Sequence, residues 1–372
     1  MVPVSAVNGE LQAMDVAGRL PRLREHLDEQ GCDALLVTKL ENIRYLTGFT
    51  GSAGLLLVKA ERALVFSDGR YRDQAAAQLA AAGVAAELHI SAPPGQLEEL
   101  SRCVPAGTHL GLEATSITWA MQRRLAQRLE GVELVPTKSA VEALRALKDA
   151  GEVARIERAC AIADVALAQV KEMLLTGCTE AAFAAELEHE MRRRGASGPA
   201  FETIVASGPN AALPHARPSE RVIGRGELVV VDFGALVDGY RSDMTRTLCV
   251  GEPEPELAAL VEAVLGAQRA GLRALRDGVG AAEVDGACRD SLTGAGYGEA
   301  FLHSTGHGVG LEVHEAPAVA AGSADILRTS NVVTVEPGAY LHGRGGARIE
   351  DTAVITAEGA RVLTKSTKDY TL

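Results

Sequence analysis

The chain has 372 residues, of which 47% are hydrophobic and 23% charged, and its formal net charge at pH 7 is −12. This acidity argues against nucleic acid as the main partner and against an anionic membrane surface, because both would repel the chain. No apolar run is long enough to span a bilayer, and the N-terminal residues lack the features of a secretory signal. The six scattered cysteines form no CxxC pair, so a reducing cytoplasm is the simplest setting.

The length favours two domains, and strands alternating with helices predict an α/β domain in the first part of the chain. We expect strands at 34–37, 54–58, 63–66, 85–90, 109–112 and 132–135, and helices at 16–31, 71–82, 96–104 and 117–129. Asn42, Tyr45 and residues 48–54 are interpreted as a glycine-rich loop. This loop lacks the motifs of a phosphate cradle and of a nucleophile elbow, so a structural turn is favoured over a contribution to a neighbouring active site.

A long helical stretch runs from Ser139 to about Leu175, with a possible break at 149–151. The domain boundary is placed just before it, which gives domains of 1–139 and 140–372. The second domain is expected to contain helices at 180–194, 256–276 and 283–292, and strands at 201–205, 331–336 and 347–355.

The segment from Leu228 to Thr247 predicts a β-hairpin. Three consecutive valines favour a strand, and Asp238-Gly239 is a strong signal for a two-residue turn. With that turn, position i pairs with position 477 − i, so Asp232 lies opposite Thr245 and Asp243 lies opposite position 234.

The two aspartates of this hairpin therefore share one face, a diagonal step apart. Two close carboxylates raise each other's pKa unless a cation lies between them. A hairpin with two solvated acids is the simpler alternative, but Asp232 follows a valine run and is expected to be buried, where an unpaired carboxylate is unfavourable. We therefore interpret Asp232 and Asp243 as metal ligands, provided that further ligands follow in the chain.

Four histidines lie in two short loops, at His215 and at His303, His307 and His314. A lone histidine is usually structural, but three within twelve positions, interleaved with glycines, favour chemistry. The GHGVG segment lacks the third spaced glycine of a dinucleotide fingerprint, so a dinucleotide-binding site is disfavoured here.

Two further acids are candidates. Glu336 ends one predicted strand, and Glu350 lies within another. Either acid alone is explained by a surface position or a salt bridge. In a regular strand Arg348 and Glu350 would share one face, and Asp351 would lie on the other. Together with Asp232, Asp243 and His307 the two acids make a set of four carboxylates and one imidazole.

The local sequences of these five residues resemble the metal-ligand pattern of the pita-bread metallopeptidases, which include methionine aminopeptidase, prolidase and aminopeptidase P. The matching segments are VVVDFG, YRSDMTRT, HSTGHGVGLEVHE, VTVEPG and ARIEDT. Residues from about 15 to 138, with ENIRYLTGFTGSAG and DGRY, resemble the creatinase/prolidase-type N-terminal domain, which argues against methionine aminopeptidase. The resemblance implies an α/β N-terminal domain followed by an α+β pita-bread catalytic domain.

The resemblance also implies two divalent metal ions. Asp232 would chelate one ion, His307 and Glu336 the other, and Asp243 and Glu350 would bridge both. Mostly oxygen ligands with one nitrogen favour Mn²⁺ or Co²⁺, with Zn²⁺ and Fe²⁺ left open.

Further roles are carried over by the same resemblance. Glu336 would also relay a proton, and His314 would stabilise the developing oxyanion. His215 and His303 resemble histidines that line a prolyl subsite. Arg348 resembles the arginine that supports the bridging glutamate and a substrate carboxylate or carbonyl.

The implied activity is hydrolysis of an Xaa-Pro bond in a peptide substrate by a cytoplasmic homodimer. An Xaa-Pro dipeptidase (prolidase) is favoured over an aminopeptidase P, and a non-catalytic binding protein on the same fold is the alternative of another class. A dipeptidase must bind the prolyl carboxylate, for which Arg217 and Arg241 are the candidates.

Overall fold

The computed structural model describes residues 9–372. They form two compact units, one from Met14 to Arg145 and one that combines 9–13 with 146–372. The domain limits of 1–139 and 140–372 remain a prediction. Within the described range, no helix is both long enough and apolar enough to cross a bilayer.

The first unit contains one mixed six-stranded sheet. Its strands are β1 (Ala34–Val37), β2 (Leu55–Lys59), β3 (Ala63–Ser67), β4 (Glu87–Ile90), β5 (His109–Glu113) and β6 (Glu133–Thr137). Its helices are α1 (Arg19–Glu25), α2 (Leu40–Thr47), α3 (Arg72–Ala81), α4 (Pro93–Cys103), α5 (Trp119–Arg128) and α6 (Glu142–Ala146), the last of which ends at the boundary. The strand order is β4-β3-β2-β1-β5-β6, so the predicted α/β architecture is confirmed.

Two local predictions in this unit were wrong. Asn42 and Tyr45 lie in α2 rather than in a loop, because the apolar side chains of Ile43 and Leu46 on that short helix are buried. Helix α2 ends at Thr47 and is capped by Gly48, which adopts a left-handed conformation with φ of 74°. Helix α1 ends at Glu25 and is followed by a short 3-10 turn, so one helix does not cover 16–31.

The second unit packs helices against antiparallel sheets. Its helices are α7 (Ala150–Val170), α8 (Glu180–Arg193), α9 (Pro255–Ala274) and α10 (Ala281–Gly294). Its first strands are β7 (Gly198–Pro199), β8 (Ile204–Ser207), β9 (Leu228–Phe233), β10 (Ala235–Val237), β11 (Tyr240–Arg241) and β12 (Met244–Cys249). Those that follow are β13 (Gly306–Gly308), β14 (Glu315–Val319), β15 (Val332–Val335), β16 (Gly338–Leu341), β17 (Gly345–Arg348), β18 (Asp351–Thr356) and β19 (Gly359–Val362).

These strands form four sheets, in the orders β12-β9-β8, β11-β10-β7, β14-β13-β15-β18-β19 and β16-β17. Side chains of β9 alternate between two cores. Val229, Val231 and Phe233 join the core formed with α7 and α8, whereas Leu228 joins the core formed with α9 and α10. Asp232 is directed to the same face as Leu228, because strand side chains alternate with a period of two.

The predicted hairpin is confirmed with its register. Asp232 pairs with Thr245 in β9 and β12, and Val237 pairs with Tyr240 beside the turn. Asp238 and the following glycine both have positive φ angles, 45° and 78°, as a two-residue turn of this kind requires.

The predicted strand over 347–355 is interrupted. Arg348 ends β17, where it pairs with Gly338 of β16, and Asp351 begins β18, where it pairs with Val335 of β15. The chain therefore changes sheets at Ile349 and Glu350. The strand alternation that the sequence suggested does not apply across this break.

Candidate active site

A cleft of about 640 Å³ opens in the second unit. The candidate site residues that line it are His215, Asp232, Asp243, His303, His307, His314, Glu336 and Arg348. The structure thus brings together in one cleft side chains that the sequence distributes over more than a hundred positions.

Three carboxylates converge beside this cleft, of which Asp232 and Asp243 line it and Glu350 does not. Asp232, Asp243 and Glu350 each offer one oxygen, and these three oxygens lie within 4.8 Å of one another. Asp232 comes from β9, Asp243 directly precedes β12, and Glu350 lies at the change of sheets between β17 and β18. The backbone N–H of Glu350 donates to the carbonyl of Thr245 over 3.1 Å, which fixes this break against β12.

The electrostatics of the cluster are unfavourable without a cation. Burial, followed by the charge of Glu350, raises the pKa of Asp243 well above its ordinary value. Burial and the charges of Glu336 and Asp232 raise the pKa of Glu350 in the same way. Within 9–372, Oδ1 of Asp232 and Oε1 of Glu350 are buried without a hydrogen-bond partner. Unpartnered oxygens in a cluster of carboxylates this close together fit a site for divalent cations.

His307 and Glu336 extend the cluster. Nε2 of His307 lies 3.1 Å from Oε1 of Glu336 and 3.7 Å from Oδ2 of Asp243. Nδ1 of His307 lies 3.1 Å from the carbonyl of Gly308 and donates to it, so Nε2 is the nitrogen that faces the carboxylates, as a proton donor in the charged ring or through its lone pair toward a bound cation. Burial opposes ionisation of Glu336, but the hydrogen bond and charge of His307 outweigh it and lower the pKa of Glu336.

Thr334 aligns this pair. Its hydroxyl accepts from the backbone N–H of His307 over 3.0 Å and donates to Oε1 of Glu336 over 3.1 Å. One side chain of β15 therefore contacts a residue of β13 and the acid that follows its own strand.

Arg348 is buried in the wall of the cleft, and its side chain donates hydrogen bonds to four other residues. Its Nη2 donates to Oδ2 of Asp232 over 2.6 Å, and its Nε donates to the hydroxyl of Thr245 over 3.1 Å. That hydroxyl donates to Oε2 of Glu350 over 2.7 Å, so Arg348 contacts Asp232 directly and Glu350 only through Thr245. Its Nη1 donates to Tyr340 Oη over 2.7 Å and to the carbonyl of Pro214 over 3.2 Å.

Sequence reasoning missed Thr245 and Tyr340. The hydroxyl of Tyr340 lies 2.8 Å from Nε2 of His303, so it connects that histidine with Arg348. Thr245 was identified only as the residue opposite Asp232, and its inward direction could have been inferred from that register. Tyr340 carries no comparable signal in the sequence.

The remaining histidines lie around the carboxylate cluster. The ring of His314 contacts that of His307 edge-on, with 4.4 Å between centroids. Burial and the neighbouring His307 lower the pKa of His314, and burial also lowers the pKa of His303. Both rings are therefore held neutral and can donate or accept a hydrogen bond. His215 lines the same cleft.

The two candidate arginines differ in position. Arg217 lines the cleft and pairs with Glu202 over 3.0 Å. Arg241 bonds instead to the backbone carbonyls of Leu311 and Ala200. Its guanidinium is therefore occupied by the scaffold, and it is not among the residues that line the cleft.

Comparison with known proteins agrees with this geometry. Residues 154–357 match the model of metallopeptidase family M24, and residues 19–147 match that of the creatinase/prolidase N-terminal domain. An Xaa-Pro dipeptidase of Pyrococcus horikoshii is 36% identical over 96% of this chain and 99% of its own length.

Two solved structures extend the comparison. An Xaa-Pro dipeptidase from Bacillus anthracis has a TM-score of 0.91 and 40% identity over 96% of this chain and 100% of its own. An X-Pro aminopeptidase from Thermotoga maritima has a TM-score of 0.84 and 34% identity over 94% of this chain and 100% of its own. The chain belongs to metallopeptidase family M24, with a pita-bread catalytic domain preceded by a creatinase/prolidase N-terminal domain.

Proposed function

We propose that the protein is a dinuclear-metal-dependent Xaa-Pro dipeptidase. The observation that carries the proposal is the convergence of Asp232, Asp243, Glu350, His307 and Glu336 at one cleft, in a chain whose full-length relatives include proteins named Xaa-Pro dipeptidase. Four carboxylates balance the charge of two divalent cations.

The residues present fit such ions. Asp232 would hold one ion, His307 and Glu336 the other, and Asp243 and Glu350 would bridge them. When bound, divalent cations supply Lewis-acid activation of water and of the scissile carbonyl. Oxygen donors with a single imidazole favour Mn²⁺, with Co²⁺ as the next choice and Zn²⁺ or Fe²⁺ as further candidates.

The protein's own groups then move protons and orient the substrate. Glu336, ionised beside His307, accepts the proton of the attacking water and delivers it to the leaving proline nitrogen. His314, held neutral, donates a hydrogen bond to the carbonyl oxygen as negative charge develops there. Arg348 donates a hydrogen bond to Oδ2 of Asp232 and thereby orients the carboxylate of that ligand.

The preference for proline has a physical basis. An Xaa-Pro bond has no N–H and carries a rigid ring, so an enzyme that grips the N–H of the leaving residue loses a contact. His215 and His303 would line the pocket for this ring. The hydrogen bond between His303 and Tyr340 holds one side of that pocket in place.

An aminopeptidase P is the second candidate, favoured by the full-length similarity to the X-Pro aminopeptidase of Thermotoga maritima. Assay of an Xaa-Pro dipeptide, an Xaa-Pro-Xaa tripeptide and an Xaa-Ala control with Mn²⁺ separates the two. We expect cleavage of the dipeptide alone. Faster cleavage of the tripeptide would contradict the dipeptidase and support the aminopeptidase.

The third candidate, a binding protein without catalysis, is tested by the same assay together with metal analysis. Protein that holds no divalent metal and gains no activity with added Mn²⁺ or Co²⁺ would contradict the enzyme proposal. We also propose a cytoplasmic homodimer. Sedimentation velocity would measure the oligomeric state, and cell fractionation the location.

A further inference from the structure

An exposed ion pair lies among the residues that line the cleft. Arg217 Nη2 is 3.0 Å from Glu202 Oε2, with the two side chains 80% and 63% exposed, and both residues line the cleft. An ion pair this exposed contributes little to stability, because water solvates both charges nearly as well. An anion that enters the cleft can therefore replace Glu202 as the partner of Arg217.

The other arginine that lines the cleft, Arg348, is not available in this way. Its side chain is 3% exposed, and Asp232, Thr245, Tyr340 and Pro214 occupy four of its five N–H donors. Arg217 is therefore the lining arginine whose guanidinium has donors free to reach a ligand carboxylate in the cleft.

The backbone keeps Arg217 near the carboxylate cluster. Pro214, three positions earlier, accepts from Arg348, and Arg348 also bonds Asp232. Three extended residues span at most about 11 Å. In an Xaa-Pro dipeptide the terminal carboxylate lies one residue, about 4 Å, beyond the scissile carbonyl carbon. A dipeptide held at the cluster thus brings its carboxylate within range of a long, mobile side chain.

We propose that Arg217 is a specificity-determining residue that binds the C-terminal carboxylate of a dipeptide substrate. On binding, Arg217 exchanges its ion pair with Glu202 for one with this carboxylate. The inference rests on the proposed dipeptidase function. A guanidinium binds a carboxylate through two parallel hydrogen bonds, which a neutral amide or a continuing peptide chain cannot reproduce. Arg217 thereby favours dipeptides over longer peptides.

The test compares Ala-Pro with Ala-Pro-amide, which differ in the terminal charge alone. We expect wild-type protein to prefer the acid, and Arg217→Met to lower kcat/KM for the acid about tenfold, mainly through KM, with the amide unaffected. Arg217→Lys keeps the charge without the planar fork and is expected to lose about threefold. Glu202→Gln removes the competing partner and is expected to lower KM for the acid alone.

Arg361→Met is the matched control. Arg361 pairs with Glu157 over 2.6 Å, both side chains are about half exposed, and neither lines the cleft. This variant removes the same charge from the same unit and is expected to leave the acid-to-amide ratio unchanged. An equal fall of the ratio in Arg361→Met would assign the effect to net charge and overturn the proposal.

Two results concern Arg217 directly. An unchanged acid-to-amide ratio in Arg217→Met, or an equal loss for both substrates, would contradict carboxylate binding by this residue. Calorimetric binding of L-proline against prolinamide gives a readout that does not need turnover. If wild-type protein hydrolyses neither dipeptide, the proposed function fails, whereas selective proline binding that Arg217→Met abolishes would still support the role of Arg217.

Discussion

Glu350 and Asp351 are neighbours in the chain, equally buried at 1% exposure, yet their surroundings are opposite. Asp351 accepts from Arg246, Gln268 and Thr364 over 2.8 to 2.9 Å and pairs with Lys368 over 2.5 Å. Although burial disfavours its ionised form, Arg246 and Lys368 outweigh burial and lower the pKa of Asp351. Glu350 accepts from Thr245, its other oxygen has no partner among the described residues, and its pKa is well above its ordinary value.

This contrast separates two uses of a buried charge. A carboxylate whose hydrogen bonds and counter-charges come from the protein stabilises the fold. A carboxylate that lacks them destabilises the fold until an external cation is bound. The change of sheets at positions 349 and 350 allows adjacent acids to serve these two purposes.

The largest expected effect is from Asp351→Asn. The change leaves Arg246 buried without its counter-charge and should reduce the free energy of unfolding by about 4 kcal/mol. Urea denaturation measures it, with Glu157→Gln in an exposed pair as the control. Because the pKa of Asp351 is lowered by folding, its contribution is present above about pH 4 and disappears as the pH falls through its folded value. A loss below 1 kcal/mol at pH 7 would contradict the structural role.

A buried ion pair, in which each charge is neutralised by another group of the protein, extends the comparison. Lys148 Nζ lies 3.1 Å from Glu315 Oε2, and both side chains are buried. Lys148→Met leaves the Glu315 charge without this partner, and we expect a loss of about 3 kcal/mol. The double variant Lys148→Met/Glu315→Gln should recover part of that loss. Equal stabilities of the single and double variants would exclude coupling between the two charges.

Metal removal addresses the carboxylates that lack protein partners. Ions that bind only the native cluster stabilise it by about 2.7 kcal/mol at a concentration of 100 times Kd. Chelation should therefore lower Tm and abolish hydrolysis, and Mn²⁺ should restore both. The same treatment of Asp243→Ala, which lacks a proposed bridging ligand, should leave Tm unchanged. An equal shift of Tm in this variant would mean that the ions bind elsewhere.

The smallest expected effect has the opposite sign to that of Asp351→Asn. In metal-free protein at pH 7, Glu350→Gln replaces a carboxyl that must either take up a proton or carry its charge within a self-repelling cluster, and should increase the free energy of unfolding by about 1 kcal/mol. Because folding raises the pKa of Glu350, the gain should vanish below about pH 4, grow as the pH rises from there towards the folded value, and stay constant above it. The variant should also lose hydrolysis. A metal-free variant less stable than wild-type protein would show that Glu350 is satisfied by the protein.

The sequence predicted those parts of the site that depend on local chemistry. The valine run and the Asp238-Gly239 turn determine the hairpin, so the opposition of Asp232 and Thr245 followed from the numbering. The histidine loops and Glu336 were singled out by their spacing and placement, and their individual roles were predicted from the resemblance of their segments to those of a known family. The resemblance to that family also predicted that an α/β domain is followed by an α+β domain in this chain.

Other features depend on partners far along the chain. Strand alternation could not show that the chain changes sheets beside Glu350, because β17 and β18 are defined by pairing with different strands. The link from Arg348 to Thr245 joins positions 103 apart, and Tyr340 gains its role only through this fold. Helix α2 was missed because its eight residues contain too few helical repeats to outweigh the glycines that follow.

The distances along the chain that separate the cluster residues also bear on folding. The bond between Thr245 and Glu350 spans 105 positions, and that between Arg348 and Asp232 spans 116. Closing loops of this length is entropically unfavourable, so we expect these contacts to form after the folding transition state. Ions that bind only the completed cluster would then slow unfolding and leave the folding rate nearly unchanged. The same ions that the chemistry needs would thereby lengthen the lifetime of the native protein.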